Sequence, residues 1–136
     1  MTGARLEFAA AAEGLVGVPF RFRGRDPETG LDCVGLVGAA LDAIGRPSPA
    51  MARYTMRQTD FAPQLARAEL AGFAGARGPI RPGDVLLVQP GPAQIHLLVV
   101  GPGGSLVHAH AGLGKVVVTP PPSPWPVARH WRLRTD

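Results

Sequence analysis

The chain reads as an α+β domain, with N-terminal helices packed on a C-terminal antiparallel β-sheet. Three observations predict this. Apolar residues recur at helical spacing across 33–44. Short apolar runs, parted by Gly and Pro turns, fill residues 85–133. Apolar residues make up 46% of the 136-residue chain, enough for one core. No internal repeat or boundary interrupts the pattern, so residues 1–136 read as a single domain.

Residues 5–16 fit an amphipathic helix whose inward positions would be Leu6, Ala9, Ala10, Leu15 and Val16, broken by Gly17-Val18-Pro19. Residues 20–31 read as a loop, because Asp26-Pro27 and Thr29-Gly30 are turn formers. Asp32 is a natural N-cap for a second helix over 33–44, with Val34, Val37, Leu41 and Ile44 as its apolar stripe. Gly45 stands where a C-terminal cap belongs. Residues 59–76 carry one or two further helices, with Phe61, Leu65, Leu70 and Phe73 as core candidates. Arg81-Pro82-Gly83-Asp84 is a turn that launches the strand at 85–88, and strands follow at 95–100, 105–110, 115–119 and 127–133. Pro120-Pro121-Pro122-Ser123-Pro124 is a stiff loop between the last two.

Composition excludes several classes. No run approaches the roughly 18 apolar residues of a membrane helix. The first residues lack a signal-peptide core, so the chain is expected to be made in the cytoplasm and delivered by something else. The net charge is +4, but the basic residues are spread out and not interleaved with aromatics, which argues against a nucleic-acid surface. One cysteine, Cys33, excludes an internal disulfide. It leaves an inert thiol, a metal ligand or a nucleophile.

Cys33 at a helix N-terminus favours the last. The helix dipole and backbone N–H groups there stabilise a thiolate, and thiol pKa values at such positions fall from about 8.5 to roughly 3.5–7.5. A hairpin around Gly101-Pro102-Gly103 would pair Val100 with Gly104, Leu98 with Leu106 and His96 with His108. Directly opposed side chains lie about 4.5–5.5 Å apart, so one imidazole would orient the other as a general base. His110 shares the strand face and is a rival for His108. A zinc site from Cys33, His96 and His108 is a further reading. Either member alone is more often structural, and His130 reads as a surface residue.

These residues resemble the NlpC family of papain-like cell-wall cysteine peptidases. Gly17-Val18-Pro19-Phe20-Arg21-Phe22-Arg23-Gly24, then Asp32-Cys33-Val34-Gly35-Leu36, is similar to the family's G-x-P-Y-x-x-G-G loop and D-C-S-G-L motif. Pro82-Gly83-Asp84-Val85, His96-Leu97-Leu98-Val99-Val100 and Leu106-Val107-His108-Ala109 resemble its later strand motifs. The resemblance covers residues 5–119 and implies a papain-like NlpC fold without a metal or organic cofactor. It implies Cys33 as nucleophile, His96 as general base and His108 as the residue orienting it. Asp32, Phe20 and Val34 fall at substrate-binding positions; Phe20 stands where many members have Tyr, and Val34 where most have Ser. The implied substrate is a peptidoglycan stem peptide, cut between γ-D-glutamate and the diamino acid. The Gly-Arg-Asp-Pro-x-x-Gly-Leu-Asp-Cys-Val-Gly-Leu form of residues 24–36 is similar to a subgroup carried by phage and gene transfer agent tails, which implies tail-tip or baseplate partners, incorporation into a virion-like particle, and no membrane. Two alternatives accompany this reading. One is a structural tail-hub component with a vestigial site, its Pro-rich loop a docking surface. The other is a thiol hydrolase or acyltransferase acting on another substrate.

Overall fold

The computed structural model describes residues 3–46, 68–69, 71–92 and 94–134. Helices α1 (Gly3–Glu13) and α2 (Cys33–Ala43) flank a small hairpin of β1 (Arg25–Asp26) and β2 (Gly30–Leu31). Strands β3 (Phe73–Gly75), β4 (Val85–Gly91), β5 (Gln94–Val100), β6 (Leu106–His110), β7 (Lys115–Thr119) and β8 (Val127–Leu133) follow. They form one antiparallel sheet in the order β3-β8-β4-β5-β6-β7. The α+β architecture, helices ahead of an antiparallel sheet, is the one the sequence predicts.

Packing follows from strand alternation. Ile95 and Val99 of β5 join Phe8, Leu36, Leu41 and Phe73 in the main core against the helices. Leu98 and Val100 belong instead to a second cluster with Leu86, Val88, Leu106 and Trp125. Central β4 contributes to both, which is why Val85-Leu86-Leu87-Val88 is an unbroken buried run.

Four readings change. Helix α1 stops at Glu13 and buries Phe8, Ala9 and Ala12, while Leu6, Ala10 and Val16 are exposed. The large Phe8 ring turns that face inward and meets Phe73 edge-to-face at 5.6 Å. Residues 20–31 contain the β1–β2 hairpin, closed partly by the Glu28 N–H donating to Asp26 Oδ1 at 2.9 Å. Phe73 is buried as predicted but lies in a strand paired with Leu133, just past Gly72 at φ 95°. The remaining helix reading over 59–76 falls almost wholly outside the described residues. Fourth, the β5–β6 register is Val99 with Val107 and Val100 with Leu106, two residues from the predicted pairing. The Gly101 N–H donates to the Ser105 carbonyl at 2.7 Å, so the loop is Pro102-Gly103-Gly104, and Gly104 supplies its positive φ of 90°. A shift of two keeps every side chain on its predicted face.

Candidate active site

Asp32 builds the start of α2. Its backbone is extended, its Oδ1 accepts the Gly35 N–H at 2.7 Å, and its carbonyl accepts the Leu36 N–H at 2.9 Å. The same Oδ1 takes an Nη1–H of Arg25 at 2.8 Å, an ion pair delivered by the β1–β2 hairpin. A Cβ at Gly35 would strike the Gly24 carbonyl oxygen, so only glycine lets α2 dock this tightly on the hairpin. Cys33 is therefore held in the first turn of α2, almost fully buried. Cys33 and Val34 pack against Leu97 of β5, the residue next to His96.

The two predicted histidines meet. His96 Nε2 lies 3.1 Å from His108 Nδ1, with ring centroids 5.2 Å apart and planes at 81°. Because of the shifted register they meet along the diagonal of the ladder rather than head-on, a distance long side chains reach. His108 Nε2 is 3.5 Å from Thr119 Oγ1 on β7. A single proton arrangement suits this chain of groups to base chemistry. His108 Nε2–H points to Thr119, His96 Nε2–H donates to His108 Nδ1, and His96 Nδ1 is left as the acceptor. That Nδ1 is buried and makes no hydrogen bond.

Both rings are held neutral. Burial, reinforced by the charges that His108 and His110 would carry, lowers His96 from the usual 6.5 to about 3. Burial and then His110 lower His108 to about 4. The indole of Trp125 stands edge-on to both rings at 5.8 Å. A Ser123 clamp fixes it: Ser123 Oγ donates to the Trp125 carbonyl at 2.9 Å and accepts the Trp125 N–H at 3.1 Å. The Pro-rich loop is thus a wall of the histidine pair. Thr119 and Trp125 were not singled out from sequence, since both reach the site through long-range packing.

The other predicted site residues sit nearby in different roles. Val34 is buried beside Cys33. Phe20 is half-buried, packs on the main core, and donates its N–H to the Gly114 carbonyl at 2.8 Å. Asp32 Oδ1 is engaged by Gly35 and Arg25. His110 lies beside the pair, 5.8 Å from His108 between ring centroids. His130 is not the surface residue predicted. Its Nε2 is 2.6 Å from Oδ2 of fully buried Asp84, which also takes the Arg132 fork at 2.8 and 2.9 Å and the Arg81 N–H at 2.8 Å. Burial alone would raise the Asp84 pKa, but these hydrogen bonds and the Arg132 charge pull it below its ordinary value. Among the described residues, no group of three or more His, Cys, Asp or Glu is arranged to hold a metal, and no helix is long and apolar enough to cross a membrane.

This architecture is shared with solved structures. NlpC2 from Trichomonas vaginalis superposes with a TM-score of 0.70 at 17% identity, covering 100% of this chain and 48% of that one. The P60 domain of an antigen from M. avium subspecies paratuberculosis gives 0.61 at 22%, covering 96% and 93%. The NlpC/p60 domain of the peptidoglycan hydrolase SagA gives 0.57 at 25%, covering 85% and 88%. The chain has the NlpC/p60 fold. It spans about half the length of the Trichomonas structures, 48% for NlpC2 and 47% for NlpC1. No protein-family model matches the sequence, and no curated protein matches it. Two of the matching structures, SagA and RipB from Mycobacterium tuberculosis, are peptidoglycan hydrolases.

Proposed function

We propose that the chain is a cysteine peptidase that cuts peptidoglycan stem peptides at the γ-D-glutamyl–diamino acid bond, with Cys33, His96 and His108 as its triad. The observation that carries the reading is the buried His96–His108 contact at 3.1 Å, on a strand whose next residue packs against Cys33. His96 Nδ1 takes the thiol proton and the sulfur attacks the stem carbonyl carbon. The backbone N–H of Cys33 at the head of α2 stabilises the oxyanion. The C–N bond then breaks as the imidazolium returns its proton to the departing amine, and water hydrolyses the thioester. His108 holds His96 in the accepting tautomer.

Phe20 and Val34, apolar where relatives are polar, and Asp32, already paired with Arg25, give the acyl side little to hold a free amino terminus. Carriage in a phage or gene transfer agent tail is the delivery route in this reading, through tail-tip or baseplate partners. A second reading, a hub component whose site is vestigial or partner-activated, has one observation in its favour: the buried Nδ1 of His96 makes no hydrogen bond.

Digestion of purified Gram-negative peptidoglycan by the native chain and by Cys33→Ala, with fragments read by mass spectrometry, separates the two. Cys33-dependent cuts within the stem establish the peptidase. Equal release by both chains sinks it, and no release by either, with fold intact, favours the hub.

A further inference from the structure

A cavity of about 230 Å³ lies where the turn ahead of β4 meets the start of α1. Arg5, Arg81 and Arg132 line it together with Leu6 and Pro82, and no carboxylate lines it among the described residues. It is separate from the histidine pair. Asp84 follows directly on this turn, whereas His96 stands opposite Val88, about 13 Å further along the sheet.

Like charges around one hollow repel unless the fold holds them, and here it does. Gly83, at φ 87°, has no side chain to strike the Arg5 carbonyl oxygen, so the turn closes on α1. Arg5 Nε donates to the Leu133 carbonyl at 2.9 Å. Arg132 is anchored on fully buried Asp84 through Nε and Nη2, at 2.8 and 2.9 Å, and Nη2 also reaches the Pro79 carbonyl at 3.1 Å. These bonds leave both Nη groups of Arg5 and Nη1 of Arg132 as donors. Asp84 balances one of the three charges, so the cavity stays positive. Two guanidiniums are thus fixed before any anion arrives, which lowers the ordering cost of binding one. Arg81 stands exposed at the rim.

The lining also selects the kind of anion. Planar guanidiniums take carboxylates and phosphates bidentately. No aromatic ring lines the cavity, which removes the stacking that a nucleic acid would use. Leu6, beside the arginines, is 37% exposed, and Ile80, next to Arg81 in the chain, is 48% exposed. Such surface favours an occupant with apolar side chains, which a polyol phosphate lacks. We propose that this cavity docks an acidic segment of a partner protein, one carboxylate held among Arg5, Arg81 and Arg132 and the apolar residue beside it resting on Leu6 and Pro82. The proposal stands whether or not the chain is a peptidase.

The test titrates the peptide acetyl-Leu-Asp-Leu-Glu-Leu-amide, and its Asn/Gln counterpart, into the full chain while backbone NMR signals are followed. The acidic peptide is expected to move the Gly83 signal, and the Asn/Gln peptide to bind about fivefold more weakly or less. Arg81→Gln and Leu6→Ser, both at exposed positions, should each weaken the acidic peptide by about fivefold, whereas Arg23→Gln should leave it unchanged. No shift at about millimolar peptide, equal binding of the two peptides, or a loss in Arg23→Gln as large as in Arg81→Gln overturns the proposal. Poly(glycerol phosphate) moving the same signal at lower concentration, with Leu6→Ser unaffected, overturns it in favour of a wall polymer.

Discussion

Acid should weaken this fold well before its carboxylates titrate. An unfolded His96 would titrate near the ordinary 6.5, whereas in the folded chain it resists protonation down to about 3. Between those values the unfolded state binds a proton that the folded state refuses, so stability falls as pH falls through that window. The loss is about 1.4 kcal/mol per pH unit, hence about 2 kcal/mol for His96 at pH 5. His108 is lowered less, to about 4, and after discounting for screening it adds about 1 kcal/mol. The total, about 3 kcal/mol, is a large share of the roughly 5–15 kcal/mol of a domain this size. Asp84 does not compete in this window, because a depressed carboxylate forfeits its contribution only below its ordinary 3.8. Urea unfolding followed by circular dichroism at pH 7.5, 6.0 and 5.0 measures the slope. The His96→Gln/His108→Gln double variant should lose most of it. Constant native stability from pH 7.5 to 5.0, or the same slope in the double variant, would refute the neutral buried pair.

Three further outcomes are expected. Cys33→Ala abolishes hydrolysis while costing about 1 kcal/mol or less in unfolding free energy, since the replacement is small and apolar; retained turnover would remove the nucleophile assignment. His96→Ala costs far more activity than His130→Ala. The latter instead loses about 1–3 kcal/mol of stability by stripping a hydrogen bond from buried Asp84, and equal activity losses would separate the histidine pair from catalysis. Trp125→Ala, made in a Cys33→Ala background so that no thiolate intervenes, hydrates the pair and raises the His96 and His108 midpoints by about one unit or more in an NMR titration. Unmoved midpoints would leave the indole no part in keeping the pair neutral.

The start of α2 was legible because its signals are local. Asp32 is both an N-cap type and adjacent to Cys33, and the apolar stripe that follows fixes the helix within a few residues. The hairpin register was less so. Gly101-Pro102-Gly103-Gly104 offers two adjacent three-residue loops that composition does not rank, and the positive φ at Gly104 decides between them only once the chain is folded. Trp125 and the Asp84–His130–Arg132 network were illegible for a different reason. β8 pairs directly with β4 although three strands separate them in the sequence, so no spacing tells that His130 and Arg132, on one face of β8, will find Asp84.

The contact between His96 and His108 forms despite the register error because its requirement is weaker than a register. Two imidazoles need the same strand face and a separation their rings can span; His96 and His108, an even number of residues apart across a hairpin, satisfy the first at any register with an odd-length loop. A slip of two changes head-on contact into diagonal contact, and the 3.1 Å approach shows that the rings span it. A slip of one would have sent His96 and His108 to opposite faces, where no rotamer restores the pair. The parity of the loop, more than its length, is what the spacing of the two histidines encodes.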